Sequence, residues 1–291
     1  MGAIGFTMSV IEIREILRLR NIYLFKYFSL SHAIIHAAAQ LIVVVLFIPS
    51  GLVINLLVPP QVVGYTALAL QCSSLYTSIT MSLNRMISVY STFTYSKIFT
   101  KLNTLMIIIA TWSLAFSSCI VLLVDGCGFV FDATIAEFYF EDTKCGRFLS
   151  FYADIVYNSV LLSVVIPMDM FSLYSLHKIT QRQVMSTRRI RRERPWFVQT
   201  LLNSTFFALM LACFHTVVFA DTVVARFFLT IVAWEAWLMS PQILGIILQK
   251  EYRIPYLKLL GREVKRLPTL STTCSKLTVV HPQTFGPLQR R

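Results

Sequence analysis

Long apolar runs, each closed by a short polar or basic stretch, follow one another along the chain. Six of them reach or exceed the roughly 20 residues that a helix needs to cross a bilayer. They are Phe28–Ile48, Gln61–Leu83, Leu102–Val124, Phe148–Leu176, Trp196–Ala220 and Phe227–Leu248. In lipid every backbone polar group must be satisfied within its own segment, so each run predicts an α-helix. Two runs are broken by polar residues. Phe28–Ile48 carries His32, His36 and Gln40, and Gln61–Leu83 carries Gln71, Ser73, Ser74, Thr77, Ser78 and Thr80. Such residues suit faces turned toward other helices, where hydroxyls and small side chains allow close packing. Met1–Ile11 is apolar but too short to cross, and it lacks the basic start and cleavage site of a signal peptide. No repeat and no linker divides the chain.

The charges sort by side. With alternating spans, 23 of the 26 Lys and Arg fall on the side that holds Arg14–Lys26. The other side receives only Lys144, Arg147 and Arg226. Basic residues in short loops mark the cytoplasmic face, so both ends of the six spans lie inside. Met1–Ile11 then reads as the inner end of a further helix whose first half is lacking. The fold expected is an all-α integral membrane bundle of seven helices with the first one truncated, leaving six full spans. A six-helix protein with an interfacial leader fits the same pattern. The bundle covers residues 1–250, and a cytoplasmic tail covers 251–291.

Composition agrees with a lipid environment. Of 291 residues 56% are hydrophobic and 14% charged, against about 25% charged in soluble domains. Mean hydropathy is +0.67. The net charge of +12 sits in loops between apolar runs, which excludes the clustered basic face of a nucleic-acid-binding protein. Six cysteines form no CxxC pair, and no His cluster has zinc spacing. A phosphate-binding Gly loop, an HExxH motif and a nucleophile elbow are all lacking. No enzyme and no cofactor is expected.

Several polar residues stand out. Asn84 and Arg85 appear where the second run ends, so Arg85 is either an interfacial arginine reaching phosphates or a switch residue. Asp154, Asp169 and Glu235 fall inside spans, where charge is costly and marks candidate function. Asp154 and Glu235 lie in the outer or middle parts of their helices. They are expected to face a ligand cavity with Tyr76, His215 and Trp234, or to make interhelical hydrogen bonds. Asp169 is expected to reach headgroups or a basic loop residue. Pro167 and Pro241 predict kinks. Asn203-Ser204-Thr205 has a glycosylation pattern but lies within a span. Beyond the last span, Ile254, Leu257, Leu260 and Val264 recur at helical spacing, which predicts an amphipathic helix on the inner leaflet.

The stretch LNRMISVYSTFTYSKIF, Leu83 to Phe99, resembles the third-helix signature of nematode serpentine chemoreceptors, class x above all. The matching positions are Leu83, Asn84, Arg85, Tyr95, Ser96, Ile98 and Phe99. Cys127 and Cys145, Tyr152 and Asp154, Asp169, Arg192-Glu193, and Trp196-Phe197 with Gln199 follow in the family's order. The resemblance covers roughly Ser31 to Arg253. Thr92 replaces a usual proline, and Ser240-Pro241-Gln242 replaces the usual end of helix seven.

The resemblance implies a G-protein-coupled chemoreceptor in the plasma membrane, with an external small-molecule ligand and a heterotrimeric G protein as partners. Asn84, Arg85 and Tyr95 would serve the switch. The basic run containing Arg188 and Arg189 would meet the G protein, besides attracting anionic lipid. Cys127 and Cys145 share the outer loop Asp125–Arg147, an oxidising location. A bridge there would close about 19 residues, worth about 3 kcal/mol; two unpaired thiols are the alternative. Rhodopsin-like receptors tie this loop to helix three, but Pro60 stands where that partner would be. A transporter or channel subunit, and a truncated non-signalling receptor product, are the rival functions. A transporter would want paired interrupted helices from an internal repeat.

Overall fold

The architecture is that of a computed structural model, which describes residues 2–18, 25–47, 59–132, 137–182, 187–249 and 253, with the side chains of 18, 25, 26, 46, 47, 92, 93, 96, 137, 179–182 and 187–193 left aside. Among the described residues seven helical bodies form the bundle. They are α1 (Gly2–Arg18), α2 (Phe25–Phe47), α3 (Pro60–Tyr90), α5 (Lys101–Ser118), the continuous α6 (Lys144–Phe148) and α7 (Tyr157–Arg182), α8 (Thr187–Thr216), and the continuous α9 (Val223–Phe227) and α10 (Ala233–Leu248). A short helix, α4 (Thr92–Ile98), lies in the second inner loop.

Local chemistry sets several of these boundaries. Pro60 opens α3 at the position where a missing N–H costs nothing. Hydroxyl caps start four others. Ser91 Oγ accepts from Thr94 N at 3.2 Å, Thr100 Oγ1 from Asn103 N at 3.2 Å, Thr143 Oγ1 from Gly146 N at 3.0 Å and Thr222 Oγ1 from Ala225 N at 3.2 Å. Each satisfies an orphan donor of a first turn. The Thr143 cap begins the fifth body at Lys144, so Lys144 and Arg147 belong to a helix rather than to the outer loop expected from the sequence.

α3 is the hub. It packs against α2, α5, α7 and α8 and against the outer loop. Its buried face carries Ser73, Ser74, Thr77, Ser78, Ser82, Asn84 and Arg85. These residues keep it out of the set of helices long and apolar enough to cross a membrane, which numbers five among the described residues: Tyr27–Val45, Lys101–Leu123, Lys144–Lys178, Arg194–Phe219 and Val223–Leu248. A helix walled by protein can be polar, because its neighbours replace lipid. α5 is the opposite case. Only Thr104 and Ala115 of α5 are buried, while Leu102, Leu105, Met106, Ile109 and Leu114 are exposed, as suits a lipid-facing surface.

The first helix differs from its expectation. Gly2–Arg18 is one helix of 17 residues, packed on α2 and α10 in the first of the seven positions. It takes Arg14 and Arg18, assigned above to the first inner loop, into its last turns. The expected truncation is not confirmed.

The outer loop adds a feature that the all-α reading lacked. Strands β1 (Phe129–Asp132) and β2 (Glu137–Phe140) pair antiparallel, with Phe129 opposite Phe140 and Phe131 opposite Phe138. Cys127 and Cys145 are disulfide-bonded at the base of this hairpin. Phe129, Phe131 and Phe138 are buried. The hairpin thus lies in the bundle mouth, with the Phe129 carbonyl pressed on Gly64 of α3.

Candidate functional site

Two polar layers occupy the bundle, one beneath the hairpin and one near the inner ends. In the outer layer the helix leading into α7 is π-helical over Leu149–Val156. Such a stretch inserts an extra residue into the turn and re-aims side chains, and it recurs at functional sites. Asp154 lies on it and is buried. Its Oδ2 stands 3.3 Å from His215 Nε2 of α8, and its Oδ1 accepts from Asn158 Nδ2 at 2.8 Å. A second link, between the hydroxyls of Tyr76 and Tyr157 at 2.8 Å, ties α3 to α7.

Of the outer residues singled out from sequence, Asp154 and His215 are brought together. Tyr76 meets Tyr157 instead. Trp234 lies under the hairpin, its ring 5.5 Å from that of Phe138 and edge-on to it. Glu235 is 2% exposed, and neither of its carboxylate oxygens has a hydrogen-bond partner among the described residues. One turn along the same face, Met239 packs at Gly5 of α1, so this face of α10 looks toward α1. Asn158, Tyr157 and Phe138 were not picked out from sequence. Asn158 carried a usable signal, one helical turn beyond Asp154; Phe138 carried none without the hairpin.

In the inner layer Arg85 is buried, not interfacial. Its guanidinium carbon sits 5.2 Å from the centre of the Phe197 ring of α8, within range of a cation–π attraction. Asp169 of α7 is 2% exposed. It faces inward, accepting from Ser82 Oγ at 2.6 Å, and its charge and that of Arg85 act on each other. The expectation that Asp169 reaches headgroups or a loop residue is therefore corrected. Ser82 precedes Arg85 by three residues, so both lie on one face of α3, and α7 is turned to meet it. Asn84 is buried beside Arg85. The Tyr95 ring lies tilted against that of Phe99, 5.2 Å between centres, in a cluster with Phe28 and Met81. A small cleft, partly open to solvent, is lined by Arg85, Glu12, His32, Gln199 and Asn203 among others. Glu12 was missed because Met1–Ile11 was read as ending before it.

Between the layers a belt of side chains surrounds Pro241 within α10. A helical proline disturbs the bonding of the preceding turn. Here the Leu238 carbonyl accepts from His36 Nδ1 at 2.9 Å and from Gln40 Nε2 at 3.2 Å. The Pro241 carbonyl accepts from Gln199 Nε2 at 2.8 Å. Because His36 Nδ1 donates to a carbonyl, neutral His36 accepts at Nε2, from Ser74 Oγ at 2.9 Å. One histidine therefore joins α2, α3 and α10. His36→Leu is expected to cost about 1–3 kcal/mol by stranding buried polar groups, read as a lower thermal midpoint in detergent.

The model of the family described as serpentine type 7TM GPCR chemoreceptor Srx matches residues 1–240. The chain belongs to this family. The matched range takes in α1 and both polar layers, and the family is one of receptors rather than enzymes. The receptor is a multi-pass protein of the plasma membrane. Among solved structures it is similar to squid rhodopsin, with a TM-score of 0.67 at 12% identity over 88% of this chain and 77% of that one. At that identity the likeness establishes a rhodopsin-like fold alone. No curated protein matches the chain. The side chains of Arg188 and Arg189 lie outside the described residues, as does the amphipathic helix expected around Ile254–Val264.

Proposed function

We propose that this receptor senses an external small molecule and passes the signal to a heterotrimeric G protein. The observation that carries the reading is the buried Arg85, held between Phe197 of α8 and the charge of Asp169 on α7. Arg85 and residues of α8 line a cleft at this level. Motion of α8 or α7 would free the guanidinium from Phe197 and from the charge of Asp169. Asn84 and Tyr95 support the same inner end, and Arg188 and Arg189 would supply basic contacts to the G protein.

The ligand would bind beneath the hairpin, at Asp154 and His215, with Tyr76 and Trp234 around them, while Glu235 faces α1 instead. Contact with Asp154 would compete with His215 and so loosen α7 from α8. A ligand acts only through its preference for one arrangement over the other, since equal affinity shifts nothing. The test is nucleotide exchange on a co-expressed G protein, evoked by a panel of small molecules, with surface antibody labelling as the control. Arg85→Ala is expected to abolish evoked exchange while surface labelling holds. Asp154→Asn is expected to raise the concentration needed by about tenfold or more, as for a lost charge-assisted hydrogen bond of about 1.5–3 kcal/mol. Evoked exchange that survives Arg85→Ala would overturn the switch.

A further inference from the structure

We propose that Cys72 and Cys119 form a peroxide-operated disulfide site, separate from the Cys127–Cys145 bridge, that fastens α3 to the outer end of α5. Both thiols are free, and their sulfurs lie 3.8 Å apart. A disulfide needs about 2.05 Å between sulfurs, so closure requires an approach of about 1.8 Å. Cys119 sits where such movement is easiest. It ends α5, and the chain passes there from α-helix into the 3-10 turn Ile120–Leu123. That turn leads straight to the outer loop, so the pair lies in the outer part of the bundle, on the oxidising side. Cys213, by contrast, is a free thiol on α8 away from this pair and serves as an internal reference.

The chemistry balances with hydrogen peroxide as the oxidant. The Cys119 sulfur, as thiolate, attacks one peroxide oxygen. The O–O bond breaks, water leaves after proton transfer, and Cys119 becomes a sulfenic acid. Cys72 then attacks the Cys119 sulfur, the S–S bond forms, and a second water leaves. Two thiols lose two electrons, and one peroxide becomes two waters. The product closes a long loop, since the two residues are 47 apart in sequence. It also pins the hub helix that carries Arg85 thirteen positions further on.

The experiment uses the full chain in membranes, in a Cys274→Ser background. It is treated with hydrogen peroxide, then denatured and alkylated with N-ethylmaleimide, then digested without reductant. The expected result is a cross-linked peptide pair containing Cys72 and Cys119, two mass units lighter than the sum of the reduced peptides, with Cys213 still alkylated. The thermal midpoint should rise by about 5–10 °C. Cys72→Ser should remove both the cross-link and the rise. Mass analysis of the unmutated pair keeps the test open if that variant folds poorly. Full alkylation of Cys72 and Cys119 after peroxide, or equal cross-linking to Cys213, overturns the proposal.

Discussion

Gly64→Ala is expected to remove most of the receptor from the cell surface and to lower its thermal midpoint sharply. A Cβ built on Gly64 would stand 1.5 Å from the Phe129 carbonyl oxygen and 2.5 Å from its carbon. Those are backbone atoms of β1, so no rotamer change relieves the clash. Either α3 shifts, carrying the hub with it, or the hairpin leaves the bundle mouth. Leaving exposes Phe129, Phe131 and Phe138 and uncovers Trp234. Overpacking of this kind costs about 3 kcal/mol or more. Gly146→Ala should act in the same direction, because its Cβ would meet the Glu141 carbonyl oxygen at 2.0 Å. Thermal unfolding in detergent and antibody labelling of intact cells read both. A Gly64→Ala receptor with the parent's midpoint would mean that the hairpin is not seated on α3.

Asp169→Ala is expected to destabilise the resting arrangement and to raise exchange on the G protein without ligand. The substitution removes an opposite charge acting on the buried Arg85 and leaves Ser82 Oγ without its acceptor. Breaking a buried charge interaction costs about 3–5 kcal/mol when the partners touch. Here the two charges act across the layer, so about 2–3 kcal/mol is the expectation. The pairwise part is isolated by a double-mutant cycle with Arg85→Met. In that background Asp169→Ala should cost about 1 kcal/mol, chiefly the lost Ser82 bond. Equal costs in both backgrounds would show that the two side chains are uncoupled.

These two predictions concern opposite ends of α3, and the cause is common. α3 touches most of the bundle, so its small and polar residues mark places where something else comes close. Gly64 admits a carbonyl, Ser74 bridges two histidines, and Ser82 takes Asp169. The same composition lowered its hydropathy below that of its neighbours.

Lipid as solvent made much of this protein readable from sequence. The apolar runs had to be helices because nothing else satisfies the backbone there, and basic residues had to gather on one face. The motif around Arg85 pointed to the family that the match over residues 1–240 establishes. Which polar groups meet was not readable, because a run of hydrophobic residues carries no register between distant helices. Asp169 faces Arg85 rather than headgroups because of how α7 is rotated against α3. Asp154 reaches His215 because a π-helical stretch re-aims it, while Glu235 looks toward α1. The hairpin escaped notice because its strands have four residues each, too short for a pattern. Local periodicity therefore determined which segments are long apolar helices. Tertiary packing alone decided which side chains share a layer, because those contacts depend on helix rotation and depth, which one-dimensional hydrophobicity does not encode.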